Sequence, residues 1–314
     1  MNNTPGQKIS VIVVMFNSES TIQSCLLSVP ETCELVIVDQ CSRDDSIALA
    51  RQTRPDAGII EAGKNRGFGA GCNLGAANAH GEILIFLNPD AVFLTPECPE
   101  ILSSAARNQN ALVGPRILDA SSRENTTARY WSSIASELGE VFLPRKLERG
   151  PFRRDIPETE VVYQSGGPVP YVQGSCMAIT AGNFWKVNGF DERFFLYREE
   201  ETLALSLMQI GVGALIDPRA QVSHIGASST SKVAEFSFGQ YYRSEALFFL
   251  IKYPKPLALT AIAILWIELV AMAASTPVRK VVGLRADKTG RSYIAAARGV
   301  FRGLRFRIVE PPSP

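Results

Sequence analysis

Asp39, Asn88-Pro89-Asp90, the run Asn65-Arg66-Gly67-x-Gly69-x-Gly71, the acids Glu199, Glu200 and Glu201, and His224 are the residues whose types could do chemistry. Asp39 ends the apolar stretch CELVIVD, where an acid can accept hydrogen bonds from a base or ribose; capping the next helix is the plainer use, and Ser42 is available for that instead. Asn88-Pro89-Asp90 follows EILIFL and is ordinary turn chemistry unless Asp90 stands at the carboxyl end of a buried strand, the edge where open α/β sheets bind ligands. On that turn Asp90 is expected to be solvent-accessible. The glycine run lacks the G-x-G-x-x-G spacing of a dinucleotide fingerprint and follows a third strand rather than a first. It can still bring backbone N–H groups to an anion at a helix start, with Asn65 and Arg66 in reach of a phosphate. Glu199 to Glu201 decorate a helix N-terminus, favourable with its dipole, unless one of them serves as a general base. A lone histidine such as His224 is by default a hydrogen-bonded structural residue.

These residues need a scaffold, and the hydrophobic pattern supplies one. KISVIVVMF, Lys8 to Phe16, reads as a buried strand, with Asn17-Ser18 capping a helix from about Glu19. CELVIVDQCSRDDSIALARQ repeats strand, turn and helix, with Asp44 and Asp45 in the first helical turn. AGIIE, a helix through about Ala79 and EILIFL repeat it again, so right-handed crossovers and a mostly parallel sheet flanked by helices are expected. Between about Asp119 and Pro168 the pattern dissolves into a long surface loop. Order returns with a strand at YVQGSCMAIT, a short helix at Ala181 to Val187, a longer one from Phe194 to Ile210, and a late strand VGALIDPRAQVSH.

The chain has 314 residues, 46% of them hydrophobic and 20% charged, the composition of a globular protein, and its formal charge is +1. Residues 276–314 nonetheless hold nine Lys or Arg against two Asp or Glu, leaving a mildly acidic body. Six cysteines without a C-x-x-C pair, and a start without a signal-peptide core, point to reduced thiols in the cytosol. Leu257 to Ala274 is apolar on nearly every face apart from Glu268. At about 1.5 Å per residue it reaches roughly 27 Å, short of a ~30 Å hydrocarbon core, so lying in or against a membrane is favoured over crossing it. Domains are expected at 1–235 and 236–314.

Taken together and in this order, NRGFGAGCNLGAANAHGEILIFLNPDA, GFDERFFLYREEETL and VSHIGASS resemble the family-2 glycosyltransferases of the Rossmann-like GT-A fold. Within them they are most similar to the rhamnosyltransferase-like subgroup of bacterial cell-surface polysaccharide synthesis. The resemblance covers roughly Lys8 to Ser229. It implies an inverting transfer from a nucleotide-sugar donor, with rhamnose a candidate sugar, to a glycan or polyprenyl-diphosphate-linked acceptor, assisted by Mg²⁺ or Mn²⁺. The donor site it implies comprises Phe16, Asn17, Asp39, Asn65, Arg66, Gly67, Gly69, Asn73, Asn88 and Asp90. Metal ligands would be Asp90 and His224, and catalytic acids Glu200, where the family has an aspartate, and Glu199. A peripheral position on the inner face of the plasma membrane fits the apolar helix and basic tail; self-association is left open and no nucleic acid is expected. The rival reading is a non-catalytic nucleotide-sugar-binding or scaffolding paralogue, with the altered Glu-Glu-Glu-Thr stretch as its mark.

Overall fold

A computed structural model describes residues 8–119, 123–125, 127–136, 155–157, 160–224, 234–281 and 290–304. The chain divides into two compact units: residues 1–132, 153–191 and 199–229 form the first, and 133–152, 192–198 and 230–314 the second.

The first unit is built on a mixed sheet. Its opening half follows the alternating pattern: β1 (Ile9–Met15), α1 (Ile22–Leu27), β2 (Glu34–Asp39), α2 (Ser46–Thr53), β3 (Gly58–Glu61), α3 (Phe68–Ala77) and β4 (Ile83–Leu87). After β5 (Ala91–Phe93) and α4 (Cys98–Asn108) come β6 (Ala111–Leu118), β7 (Glu124–Asn125), β8 (Ala128–Arg129) and α5 (Val162–Ser165). Then follow β9 (Gly167–Val169), β10 (Tyr171–Val172), β11 (Cys176–Thr180), α6 (Ala181–Lys186), α7 (Glu199–Gln209) and β12 (Gly213–His224). The strand order is β3-β2-β1-β4-β11-β6-β12-β5, with β7 on β6 and β9 on β12. β3, β2, β1 and β4 run parallel, and β11 enters antiparallel beside β4.

Alternation within each strand sends side chains to opposite layers. Val11, Val13 and Met15 of β1 and Ile83, Ile85 and Leu87 of β4 pack in one core with Ile22, Leu26 and Leu102. Ile12, Val14, Leu84 and Phe86 pack in the other with Cys72, Phe184, Phe190 and Leu203. Both faces are covered, so these strands are apolar throughout rather than alternating. The parallel strands end together at Asp39 and at the turn after Leu87, which is the ligand-binding edge of such a sheet.

Several expectations are corrected. The stretch 119–168 is no featureless loop: β7 pairs with β6, β8 with β10, and Arg129 meets Asp155 at 3.0 Å; residues 120–122, 126, 137–154 and 158–159 lie outside the described residues. YVQGSCMAIT is two strands, because Tyr171 and Val172 pair with β8 while Cys176 to Thr180 pair with β4. Neither Asn17 nor Ser18 caps α1 by its side chain: the N-cap is Thr21, and Asn17 Oδ1 instead accepts the N–H of Arg43 at 2.8 Å. Asp44 and Asp45 precede α2 rather than forming its first turn. The helix expected from Phe194 starts at Glu199, since Tyr197 and Arg198 have φ of 71° and 73°, incompatible with a right-handed helix.

The second unit contains α8 (Ala234–Lys252), α9 (Lys255–Val281) and α10 (Gly290–Leu304). α8 and α10 approach closely where Gly239, Gly299 and Gly303 leave no side chain between backbones: a Cβ on Gly303 would lie 2.8 Å from the Arg243 carbonyl. The α9 stretch Lys255–Ser275, mean hydropathy 2.2, is long and apolar enough to cross a membrane by length and composition. Ala258, Ala261, Ile262, Leu265 and Leu269 are buried, whereas Leu257, Leu259, Ile264, Ile267 and Val270 are exposed. Of the basic tail, Arg291, Arg298 and Arg302 lie exposed on α10, and Arg285, Lys288, Arg305 and Arg307 fall outside the described residues.

Candidate active site

The Asn88-Pro89-Asp90 turn closes through the Ala91 N–H on the Asn88 carbonyl at 3.0 Å, with proline at the position that favours such a turn. Asn88 is anchored by its own N–H to the Ser175 carbonyl at 2.9 Å. β5 then pairs antiparallel with the end of β12, setting His224 opposite Ala91. That register brings His224 Nε2 to 3.1 Å from Asp90 Oδ1, across 134 residues of sequence. Asp90 is 8% exposed, correcting the expectation of a solvent-accessible carboxylate, because the β5–β12 pairing folds over it.

Asp39 stands at the end of β2, 1% exposed. Its Oδ2 accepts the Ser42 N–H at 3.0 Å, so it braces the turn and does not cap α2. Its Oδ1 is buried with no hydrogen-bond partner among the described residues, which leaves its desolvation without compensation from them. Beside it, Gln40 Nε2 donates to the Gly67 carbonyl at 2.7 Å and Gln40 Oε1 accepts the Arg66 N–H at 3.0 Å, pinning the loop that carries Asn65 and Arg66. Nothing in the sequence marked Gln40 as a clamp beyond its place next to Asp39. Asn65 Oδ1 accepts the Gly67 N–H at 2.9 Å. Gly67 itself has φ 95° and ψ 170°, a conformation essentially restricted to glycine. Arg66 and Phe16 are exposed, and Asn17 ties the β1–α1 turn to the β2–α2 turn.

The remaining glycines of α3 have a packing role. A Cβ on Gly71 would lie 2.5 Å from Gln40 Nε2 and 2.6 Å from Val14, and one on Gly75 2.5 Å from Ile12, so they let the helix lie close on the sheet. Gly69 faces Phe190 and Glu199. Asn73, counted by resemblance with the donor site, has its amide on the Phe190 backbone, donating to the carbonyl and accepting the N–H at 2.9 Å each.

The three glutamates separate by environment. Glu201 is buried and accepts the Ser132 N–H and hydroxyl at 2.7 Å each. Glu199 is 2% exposed with Oε1 lacking a hydrogen-bond partner among the described residues, and burial, reinforced by the neighbouring Glu200, pushes its carboxyl well above the usual range. Glu200 is half-buried. Of the three, Glu200 is the one that is not buried.

Among the described residues no three His, Cys, Asp or Glu gather as a metal-binding cluster. Asp90 and His224 suit a divalent cation that completes its shell with phosphate oxygens and water, as Mg²⁺ and Mn²⁺ do in nucleotide sites.

The chain is 27% identical over 248 residues to N-acetylglucosaminyl-diphospho-decaprenol L-rhamnosyltransferase of Mycobacterium tuberculosis, covering 73% of this chain and 78% of the relative. Its fold is similar to that of a mannosyltransferase from Pyrobaculum calidifontis solved with GDP-Man and Mn²⁺, with TM-score 0.52, 15% identity, and 95% and 86% of the two chains covered. It is also similar to GalNAc-T7 solved with UDP, GalNAc and Mn²⁺, with TM-score 0.51, 15% identity, and 76% of this chain but 47% of that one covered. The sheet with its flanking helices is the GT-A fold. Residues 10–187, more than half of the chain, match the model of glycosyl transferase family 2, and the protein belongs to that family.

Proposed function

We propose that the protein transfers a sugar, rhamnose first among the candidates, from a nucleoside diphosphate to a lipid-linked glycan with inversion at the anomeric carbon. The observation that carries this reading is the Asp90–His224 pair at the carboxyl edge of the sheet, on the turn after β4, one strand removed from β2, which ends in Asp39. The unpartnered Asp39 Oδ1 receives a hydrogen bond from the nucleobase, and the Gln40-clamped loop presents Arg66 to the diphosphate. Asp90 and His224 would hold the divalent cation, which would supply positive charge to the departing diphosphate. Glu200 takes the proton of the acceptor hydroxyl as its oxygen bonds to the anomeric carbon and the carbon–oxygen bond to the diphosphate breaks. Burial pushes the Glu199 carboxyl up, which leaves the base role to Glu200.

The acceptor class is drawn from the mycobacterial relative, whose name specifies a diphospho-decaprenol carrier. The exposed apolar side of α9, with Arg291, Arg298 and Arg302 on α10, supports a peripheral seat on an anionic leaflet. The test is thermal denaturation against dTDP-L-rhamnose, UDP-N-acetylglucosamine and GDP-mannose, each with and without Mn²⁺. A single nucleotide sugar raising Tm in a Mn²⁺-dependent way is expected, because a ligand of the folded state stabilises by mass action. No shift with any donor would refute the reading.

A further inference from the structure

The second unit holds a groove that the transfer chemistry does not use. It runs between α9 and α10 and encloses about 450 Å³. Trp266 and Val270 supply one wall, a turn apart on α9, while Ile294, Arg298, Phe301 and Arg302 supply the other, recurring at i, i+4, i+7 and i+8 along one face of α10. Trp266 and Phe301 meet edge to face at 5.8 Å.

The charge on this groove is all of one sign. Arg298 and Arg302 stand one turn apart, both exposed, and among the described residues neither has an ion-pair partner. A third arginine is close: burial first, and then the charge of Arg302, lower the guanidinium of Arg243 on α8 from its usual value. Like charges so grouped repel one another, and an anion held between them removes that cost. A bare inorganic anion would use the arginines and leave the apolar wall in water. Val270 and Phe301 are exposed, and Val270 is shared with the exposed apolar side of α9.

We propose that this groove is a site for one anionic phospholipid of the leaflet, with its phosphate between Arg298 and Arg302 and an acyl chain along Trp266, Val270 and Phe301. Basic pockets beside apolar helices take anionic headgroups, and a guanidinium fork matches phosphate oxygens. Trp266 suits the boundary, since its ring is apolar and its N–H polar. This inference rests on the reading of the second unit as seated on an anionic leaflet and is independent of the transfer reaction.

The test titrates the full chain with monomeric dihexanoyl-phosphatidylglycerol, against dihexanoyl-phosphatidylcholine, farnesyl diphosphate and inorganic phosphate. One saturable site for the phosphatidylglycerol is expected, weakened roughly 30-fold in Arg298→Gln/Arg302→Gln, the loss that two charges beside an anionic headgroup imply. Val270→Gln, which makes the apolar wall polar, weakens it too; Arg291→Gln, on α10 but not lining the groove, does not. All four positions are exposed, so the variants should melt close to the wild type. Folded groove variants that bind like the wild type overturn the proposal. So does phosphatidylcholine or phosphate binding as tightly as phosphatidylglycerol, and so does farnesyl diphosphate binding more tightly, which would give the groove to an isoprenoid diphosphate. Sedimentation with phosphatidylglycerol vesicles separates the two ideas. A wild type that sediments yet shows no saturable site removes the groove alone, and one that does neither removes the membrane seat as well.

Discussion

Glu199 and Glu200 are neighbours in sequence but differ in burial, Glu199 being 2% exposed and Glu200 half-buried, and that difference is why Glu200 is proposed as the base. Glu200→Gln is expected to lower kcat by roughly 10²–10⁴-fold with donor affinity unchanged, the contribution of a general base. Glu199→Gln replaces a carboxyl that burial pushes away from its charged form with a neutral isostere, so it should keep most of its turnover; steady-state kinetics beside donor titration reads both. Asp90→Asn removes the charge facing His224, and the Mn²⁺-dependent part of donor-induced stabilisation should vanish while the circular dichroism of the folded chain stays. Full Mn²⁺ dependence in that variant would reduce Asp90 to a turn residue. The places of Asp39 and Asp90 at the carboxyl edge of the sheet were legible because Asp39 ends an apolar run and Asp90 follows one closely. The different surroundings of Glu199 to Glu201 were not, since they depend on Ser132 reaching Glu201 from 69 residues away and on Glu199 being buried beside Gly69. The site role of His224 was likewise carried only by resemblance, because the sequence alone does not show the β5–β12 register that sets it beside Asp90.

At the scale of elements, the buried parallel strands announce themselves as β-branched runs, and their order follows from right-handed crossovers. The two-residue strands β7, β8 and β10 do not, because each exists only through a partner distant in sequence or tied to one. The α3 glycines look like a phosphate loop in sequence, yet Gly71 and Gly75 are needed by the sheet beneath them. Gly71→Ala should therefore destabilise the protein by about 1–3 kcal/mol, as overpacking does. It should also weaken donor binding, since the new methyl group would displace the Gln40 amide that holds Arg66 and Gly67. Gly182→Ala, in α6 with nothing within 4 Å of the added carbon, is the control and should gain about 0.5–1 kcal/mol. Chemical denaturation of the two variants checks both signs. The start of α7 escaped the sequence pattern for a related reason: Phe194 to Arg198 are apolar and charged in helical spacing, but their contacts are with α8 and their backbone is left-handed at Tyr197 and Arg198.

At the scale of the whole molecule, Glu268 gives the second unit a pH dependence. Burial raises its carboxyl from 4.5 to about 7, and its Oε2 has no hydrogen-bond partner among the described residues. The unfolded chain loses the proton first, so stability should fall as pH rises from about 4.5 to about 7 and stay level above. Glu268→Gln should abolish that slope and raise stability at pH 8 by about 1–2 kcal/mol, measured by denaturant melts at pH 5 and pH 8. The full chain should sediment with anionic vesicles at low salt and be released at high salt, because the arginines and the exposed apolar side of α9 act together. The central claim is the transfer reaction itself. Its most direct test is mass spectrometry of an N-acetylglucosaminyl-diphospho-isoprenoid acceptor after incubation with dTDP-L-rhamnose, Mn²⁺ and either the wild type or Glu200→Gln. One added rhamnose with the wild type and none with Glu200→Gln is the expected result. An acceptor left unmodified by a wild type that binds the donor tightly would contradict the account and mark the protein as a binding module.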